Sequence, residues 1–248
     1  MKLFNAFSYL FFILFLFQCT HTSDVNELQK LKKGERILEM KAYDKALRYF
    51  VSIDLSNFSD DSKAYVFRNI SKTYSKMGQI DSARMYSEKA AKSAGKNSFI
   101  YFLTKAEFEL FNHQASNAIE TLMNTEIKYP NSEEVANLFS LIYSGEYGEG
   151  YFDLPKAEKY AVRAFRLKNN NSNKEQLGAV YFEAEKYKLA TKIFKEMYFQ
   201  ESNNYFYQFY YGQSLFFEGD ENRGFKLMKS AADQNDSCKI MFDEIFSN

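Results

Sequence analysis

A chain of 248 residues is long enough for one or two compact domains, or for a run of about six short repeats. Its 32 Lys+Arg balance 32 Asp+Glu, so no global field draws it toward nucleic acid, and none is expected among its partners. Two prolines and ten glycines leave long helix-compatible segments, and 26 Phe with 19 Tyr but no Trp suggest large rings set against small residues.

The amino terminus reads as an export signal over residues 1–18. Met1-Lys2 precedes an apolar run over 3–17, and Gln18-Cys19-Thr20 forms a polar exit. This segment resembles a bacterial lipoprotein signal, in which the cysteine after the apolar run is acylated and becomes the first mature residue. The resemblance makes Cys19 the lipidation site and the membrane a partner through that lipid. Leu16 suits the place three before the cysteine, whereas Phe17 and Gln18 depart from the small residues the family prefers. Two other readings stand beside it. The run also fits an uncleaved anchor at the short end of the spanning range, with Lys30, Lys32, Lys33 and Arg36 favouring a cytoplasmic body. Or it is an ordinary cleaved signal that leaves a periplasmic protein. Cys238 is the one other cysteine; an acylated Cys19 leaves it a lone thiol, and a Cys19–Cys238 bridge is the alternative. Residues 19–26 read as a polar tether.

From residue 27 to 236 the chain repeats itself. Over 171–231 one pattern occurs twice at an offset of 34: Leu177, Gly178 and Tyr181 return as Tyr211, Gly212 and Leu215, and Phe194 and Met197 return as Met228 and Ala231. A period of that length means stacked helical hairpins. Ala46, Ala83, Ala118, Ala157 and Ala190 form one column of small residues. Gly34, Ser71, Ala106, Gly178 and Gly212 form a second column twelve positions earlier, and Ser140 stands seventeen before its partner. Two antiparallel helices joined by a short turn approach closely only where the facing side chains are small. Tyr43, Ile80, Leu154 and Tyr187 open the second helices, and Phe50, Leu122 and Phe194 follow the small residue by four, on the same helical face.

These columns resemble the tetratricopeptide repeat. Its best copy is Leu177-Gly178-x-x-Tyr181 followed by Tyr187-x-x-Ala190-x-x-x-Phe194, while Glu109, Thr125 and Glu221 occupy places that are normally apolar. The resemblance implies an all-α fold, a right-handed α-solenoid of about six antiparallel helix pairs. In the fourth unit the first helix, near 133–144, is followed by a long loop holding Gly145, Gly148 and Gly150 before Pro155 opens the second helix. Gly148-x-Gly150 with Asp153-x-x-Lys156-Ala157 is similar to the Sel1-like variety of the same superfamily. Residues 237–248 carry Ile240, Met241, Phe242, Ile245 and Phe246 at helical spacing and read as a capping helix over the last hairpin.

Reaction chemistry is not expected. His21 and His113 are the only histidines and have no ligand neighbour at metal-binding spacing, so no metal, cofactor or enzymatic activity is assigned. Paired carboxylates such as Asp60-Asp61 and Glu133-Glu134 fall at helix starts, where they suit the helix dipole. Recognition remains, and the resemblance places it on the first helices of each pair. Tyr65, Arg68, Lys72 and Lys76 offer a basic row, its cations four apart, suited to an acidic peptide or carboxyl terminus; a solvated face is the alternative. Phe206, Phe209, Phe216 and Phe217, among four tyrosines, put rings around one helix, more than a single buried stripe requires. The expectation is a non-catalytic scaffold binding a protein or peptide, exported and lipid-anchored in the bacterial cell envelope. A glycan- or peptidoglycan-associated factor and a cytoplasm-facing anchored scaffold are its alternatives.

Overall fold

The structure, a computed structural model, describes residues 26–246. Among these residues every regular element is helical. The first helix, α1, covers 26–39. It is followed by α2 (Tyr43–Val51), α3 (Asp60–Lys76), α4 (Ile80–Ser93), α5 (Phe99–Phe111), α6 (Ala115–Lys128), α7 (Glu133–Tyr143), α8 (Leu154–Leu167), α9 (Asn171–Glu183), α10 (Tyr187–Gln200), α11 (Tyr205–Glu218), α12 (Glu221–Ala232) and α13 (Asp236–Phe246). The proposed signal, Cys19 and His21 lie outside the described residues. Two compact units divide the chain between Thr121 and Leu122, inside α6. The first holds hairpins α1/α2 and α3/α4, then α5 and the opening of α6. The second holds the rest of α6, hairpins α7/α8, α9/α10 and α11/α12, and α13.

Close approach at small residues builds each hairpin. In the first unit Ala46, Ala83, Ala106 and Ala118 are completely buried, a Cβ on Gly34 would strike the Phe50 ring, and Ser71 Oγ donates to Ala83 O at 2.7 Å. In the second unit Ser140 Oγ donates to Ala157 O at 3.1 Å. A Cβ on Gly178 would lie 2.7 Å from Phe194 Cζ, and one on Gly212 only 2.8 Å from Gly224 O. The seventeen-residue spacing of Ser140 and Ala157 is therefore the same contact as the twelve-residue one, with a longer turn between. That turn carries a single 3-10 turn at Glu149–Tyr151, and it is closed where the Asp153 amide donates to Tyr143 O at 2.9 Å.

Two kinds of punctuation set the helix ends. Inside a hairpin the first helix stops in a left-handed residue, as at Gly78, His113, Glu185 and Gly219. The amide one residue on reaches back five positions, Gln79 to Tyr74 O at 2.9 Å and Lys186 to Tyr181 O at 2.8 Å, which satisfies carbonyls the helix end would strand. Between hairpins the next first helix starts under a side-chain cap: Ser59, Ser98, Ser132, Asn170 and Asn204 each accept from an amide in the first turn.

First-turn polar residues also hold successive first helices in place. Glu27 accepts from the Ser59 amide at 3.3 Å, Asp61 accepts from the Gly95 amide and Ser98 Oγ, both at 2.9 Å, and Asn171 Nδ2 donates to Glu201 at 2.7 Å. Asp61 thus does more than answer the helix dipole, because it fastens the junction from which α5 starts. The places expected to be apolar are resolved in three ways. Buried Glu109 accepts from Thr121 Oγ1 at 2.8 Å, Thr125 is buried in α6, and Glu221 opens α12 in solvent.

Candidate partner-binding surfaces

In the first unit α3 presents Tyr65, Arg68, Lys72 and Lys76. Tyr65 and Lys72 are half-buried and Lys76 is exposed, but Arg68 is only 5% exposed. Its Nε donates to both carboxylate oxygens of Glu107 on α5, at 2.9 and 2.8 Å, and its Nη2 donates to Glu107 Oε1 at 2.8 Å. A guanidinium leaves water only with such a matched partner. The expected row of three available cations is therefore corrected: the Arg68 charge is committed to joining α3 and α5, while Lys72 and Lys76 continue the row toward the end of α3. Sequence reasoning misses Glu107. It stands one residue after Ala106, as Lys72 stands one after Ser71, so an opposite charge one turn away on the next first helix is the available signal.

In the second unit the rings of α11 divide by direction. Phe209 is completely enclosed with Met228, Ala231 and Cys238, so it is a core residue and no partner can reach it. Phe206 and Phe216 pack partly against the same cluster, and Phe216 meets Phe246 of α13 edge-on at 5.4 Å. Cys238, on the buried side of α13, is a free thiol whose pKa desolvation pushes up to about 11, far from nucleophilic character. Burial likewise raises the Tyr210 hydroxyl, with the nearby charge of Glu175 adding to it.

Phe217 differs: it is 43% exposed. Its ring stacks on Tyr187 at 5.4 Å and stands edge-on to Phe182 at 5.5 Å, while Phe182 and Tyr187 meet at 5.3 Å. Three rings from α9, α10 and α11 thus form one cluster beside the turn at Glu185. Sequence reasoning passes over Phe182 and sees Tyr187 only as a helix opener. Their signal is an aromatic on each side of a short turn.

The wall formed by α7 and α9 is laced by neutral polar side chains. Asn137 Nδ2 donates to Asn173 Oδ1 at 3.0 Å, and Gln176 Nε2 donates to Ser140 Oγ at 3.1 Å and Ser144 Oγ at 3.3 Å. At its base Glu133 meets Lys168 at 2.9 Å. Burial, reinforced by Glu134, lifts the Glu133 carboxyl above the usual range against the opposing pull of Lys168. These groups tie α7 to α9 and to the end of α8. Among the described residues, no group of three or more His, Cys, Asp or Glu is placed to hold a metal ion, and no helix is long and apolar enough to cross a membrane.

No protein-family model matches the sequence, and no curated protein matches it. Solved structures do. The chain is similar to the APC/C hetero-tetramer Cut9-Hcn1 (TM-score 0.62, 12% identity, covering 89% of this chain and 43% of that one). It is also similar to TTC0263, a thermophilic TPR protein of Thermus thermophilus (TM-score 0.54, 16% identity, 76% of this chain and 98% of that one). A third is pilF of Pseudomonas aeruginosa (TM-score 0.52, 14% identity, 90% and 98%). The present chain thus spans less than half of the first of these and nearly the whole of the other two. At such identities the likeness is one of fold: the chain has a tetratricopeptide-like fold of consecutive antiparallel helix pairs.

Proposed function

We propose that this protein is a non-catalytic scaffold that binds a protein or peptide through the exposed parts of its first helices, exported and held at the bacterial cell envelope by a lipid on Cys19. The observation that carries the binding reading is Phe217. A ring that exposed, already packed on three others, costs little conformational entropy to bury against a partner, which is the usual make-up of an interface anchor. Phe182 and Tyr187 complete that site in the second unit. In the first unit Lys72 and Lys76, beside Tyr65, suit an acidic segment. The fold supports a binding role by analogy, since Cut9 and Hcn1 form a hetero-tetramer on a similar one. The glycine-bearing loop ahead of α8 is taken as a Sel1-like elongated turn. The envelope reading rests on the sequence alone, from the single lysine, the apolar run and Cys19.

Crosslinked pull-down from native envelopes tests both parts. Phe217→Ala and the Lys72→Glu/Lys76→Glu pair should each reduce the recovered partner about tenfold while the helical signal stays unchanged. Arg68 is left intact because its reversal would break the pair with Glu107. Undiminished recovery in both variants overturns the binding surfaces. Cys19→Ser should abolish acyl labelling and release the chain from membranes, whereas unchanged retention would establish an anchor helix instead.

A further inference from the structure

We infer that the outer face of α1 is a docking surface for an anionic phospholipid headgroup layer. The inward side of the helix is fixed by buried Glu27, Leu31 and Gly34. On the opposite side Leu28, Lys32 and Arg36 follow one another at intervals of four, one stripe of a helix, and Met40 prolongs it just past the helix end, its amide donating to Arg36 O at 3.0 Å. All four are exposed, and the stripe's two apolar ends, Leu28 at 50% and Met40 at 76%, are among the most solvent-exposed large apolar side chains described. Lys33 and Gln29 flank the stripe on one side and Glu39 on the other, and all three are exposed. Lys33 also lies over the Tyr49 ring at 5.2 Å. Among the described residues no ion pair engages Lys32 or Arg36.

Charge is concentrated here although the whole chain carries none: residues 26–51 hold seven Lys and Arg against four Asp and Glu. One of those four acids, Glu27, is committed to the Ser59 cap. Cations between two apolar side chains on one helical face match a headgroup layer, with the cations at the phosphates and the apolar ends at the acyl boundary. The neighbouring chain selects this occupant over an acidic protein. Cys19 stands seven residues before 26, so a lipid there would hold α1 within roughly 25 Å of the bilayer. Docking then needs only rotation of a tethered body into the range of about one Debye length. That tethering clause rests on the proposed acylation of Cys19; the stripe itself does not.

The test uses the full chain, purified from a bacterial host and reconstituted on phosphatidylcholine vesicles with or without phosphatidylglycerol, with amine acylation of Lys32 and Lys33 read by mass spectrometry against Lys229. Lys32 and Lys33 should be several-fold protected on the phosphatidylglycerol vesicles alone, and high salt should reverse the effect. In Lys32→Glu/Arg36→Glu the protection of Lys33 should be lost, since each cation removed weakens the attraction to the anionic surface about fivefold. Equal labelling on both vesicle types, in chain that sediments with them, overturns the proposal. So does protection by added acidic protein but not by phosphatidylglycerol. Failure of the acylation reading shows separately, as equal retention of wild type and Cys19→Ser on neutral vesicles. Protection of Lys32 by phosphatidylglycerol then still decides the stripe.

Discussion

Replacing Gly212 by alanine separates the close-approach account of this fold from helix propensity, because the two predict opposite signs. Gly212 lies in the middle of α11, where alanine is intrinsically better by about 1 kcal/mol. Yet its Cβ would sit 2.8 Å from Gly224 O, 2.8 Å from Leu227 Cβ and 2.9 Å from Met228 N. Two of those atoms are backbone of α12 and have no rotamer into which to retreat. Relief therefore requires α11 and α12 to separate, loosening Phe209 and Met228 beneath them. Overpacking costs about 1–3 kcal/mol, and an obstruction by main chain belongs at the upper end. The expected net loss is about 2 kcal/mol, or roughly 7 °C in Tm for a unit of this size. At Gly178 the obstacle is the tip of the Phe194 ring, which can tilt, so Gly178→Ala should cost under about 1 kcal/mol net. Gly150, with nothing within 4 Å of its Cβ position, is the control and should change little. Urea unfolding followed by circular dichroism gives the order Gly212, Gly178, Gly150 from most to least damaging. A Gly212→Ala protein more stable than wild type would refute the reasoning.

Other consequences can be checked in the same way. His113 and Glu185 hold left-handed turns at φ 58 and 55, so His113→Gly and Glu185→Gly should each stabilise by about 1 kcal/mol, visible as a higher urea midpoint. Arg68→Ala strands the Glu107 carboxylate and should cost about 3–5 kcal/mol, whereas Arg68→Leu with Glu107→Leu should recover most of that loss; a double variant as unstable as the single one would show that packing, not charge, dominates. Burial raises the Glu133 carboxyl, so the folded chain keeps that proton to higher pH than the unfolded chain does. Stability should then fall as pH rises from the ordinary glutamate range through the lifted folded value, and Glu133→Gln should flatten that slope in thermal melts recorded across pH.

What could be read from the sequence follows from where each interaction sits along the chain. A hairpin contact joins residues about twelve apart and demands only small size, so Gly34, Ser71, Ala106, Gly178 and Gly212 announce themselves, as does α13, whose apolar spacing is local. The pair Arg68–Glu107 joins residues 39 apart on different hairpins. It depends on the lateral offset of α3 and α5, which no periodicity within one helix encodes; the clasps made by Asp61 and Asn171 escape notice for the same reason. Phe209 and Phe217 show a further limit. They are the same residue type on one helix, eight positions apart, yet at about 100° per residue they point roughly 80° apart. One faces α12 and the cap, and the other faces the turn at Glu185. Chemical type alone makes both look like binding residues; direction buries Phe209 and leaves Phe217 at the surface, and direction is set by the neighbouring hairpins. Since small residues at the contact line carry so much of the fold, the outward faces of the first helices are left with few packing demands. Substitutions there, at Phe217, Lys72 and Lys76 among others, should consequently disturb the fold less than any in the core, which is why they are the ones chosen to test the proposed binding.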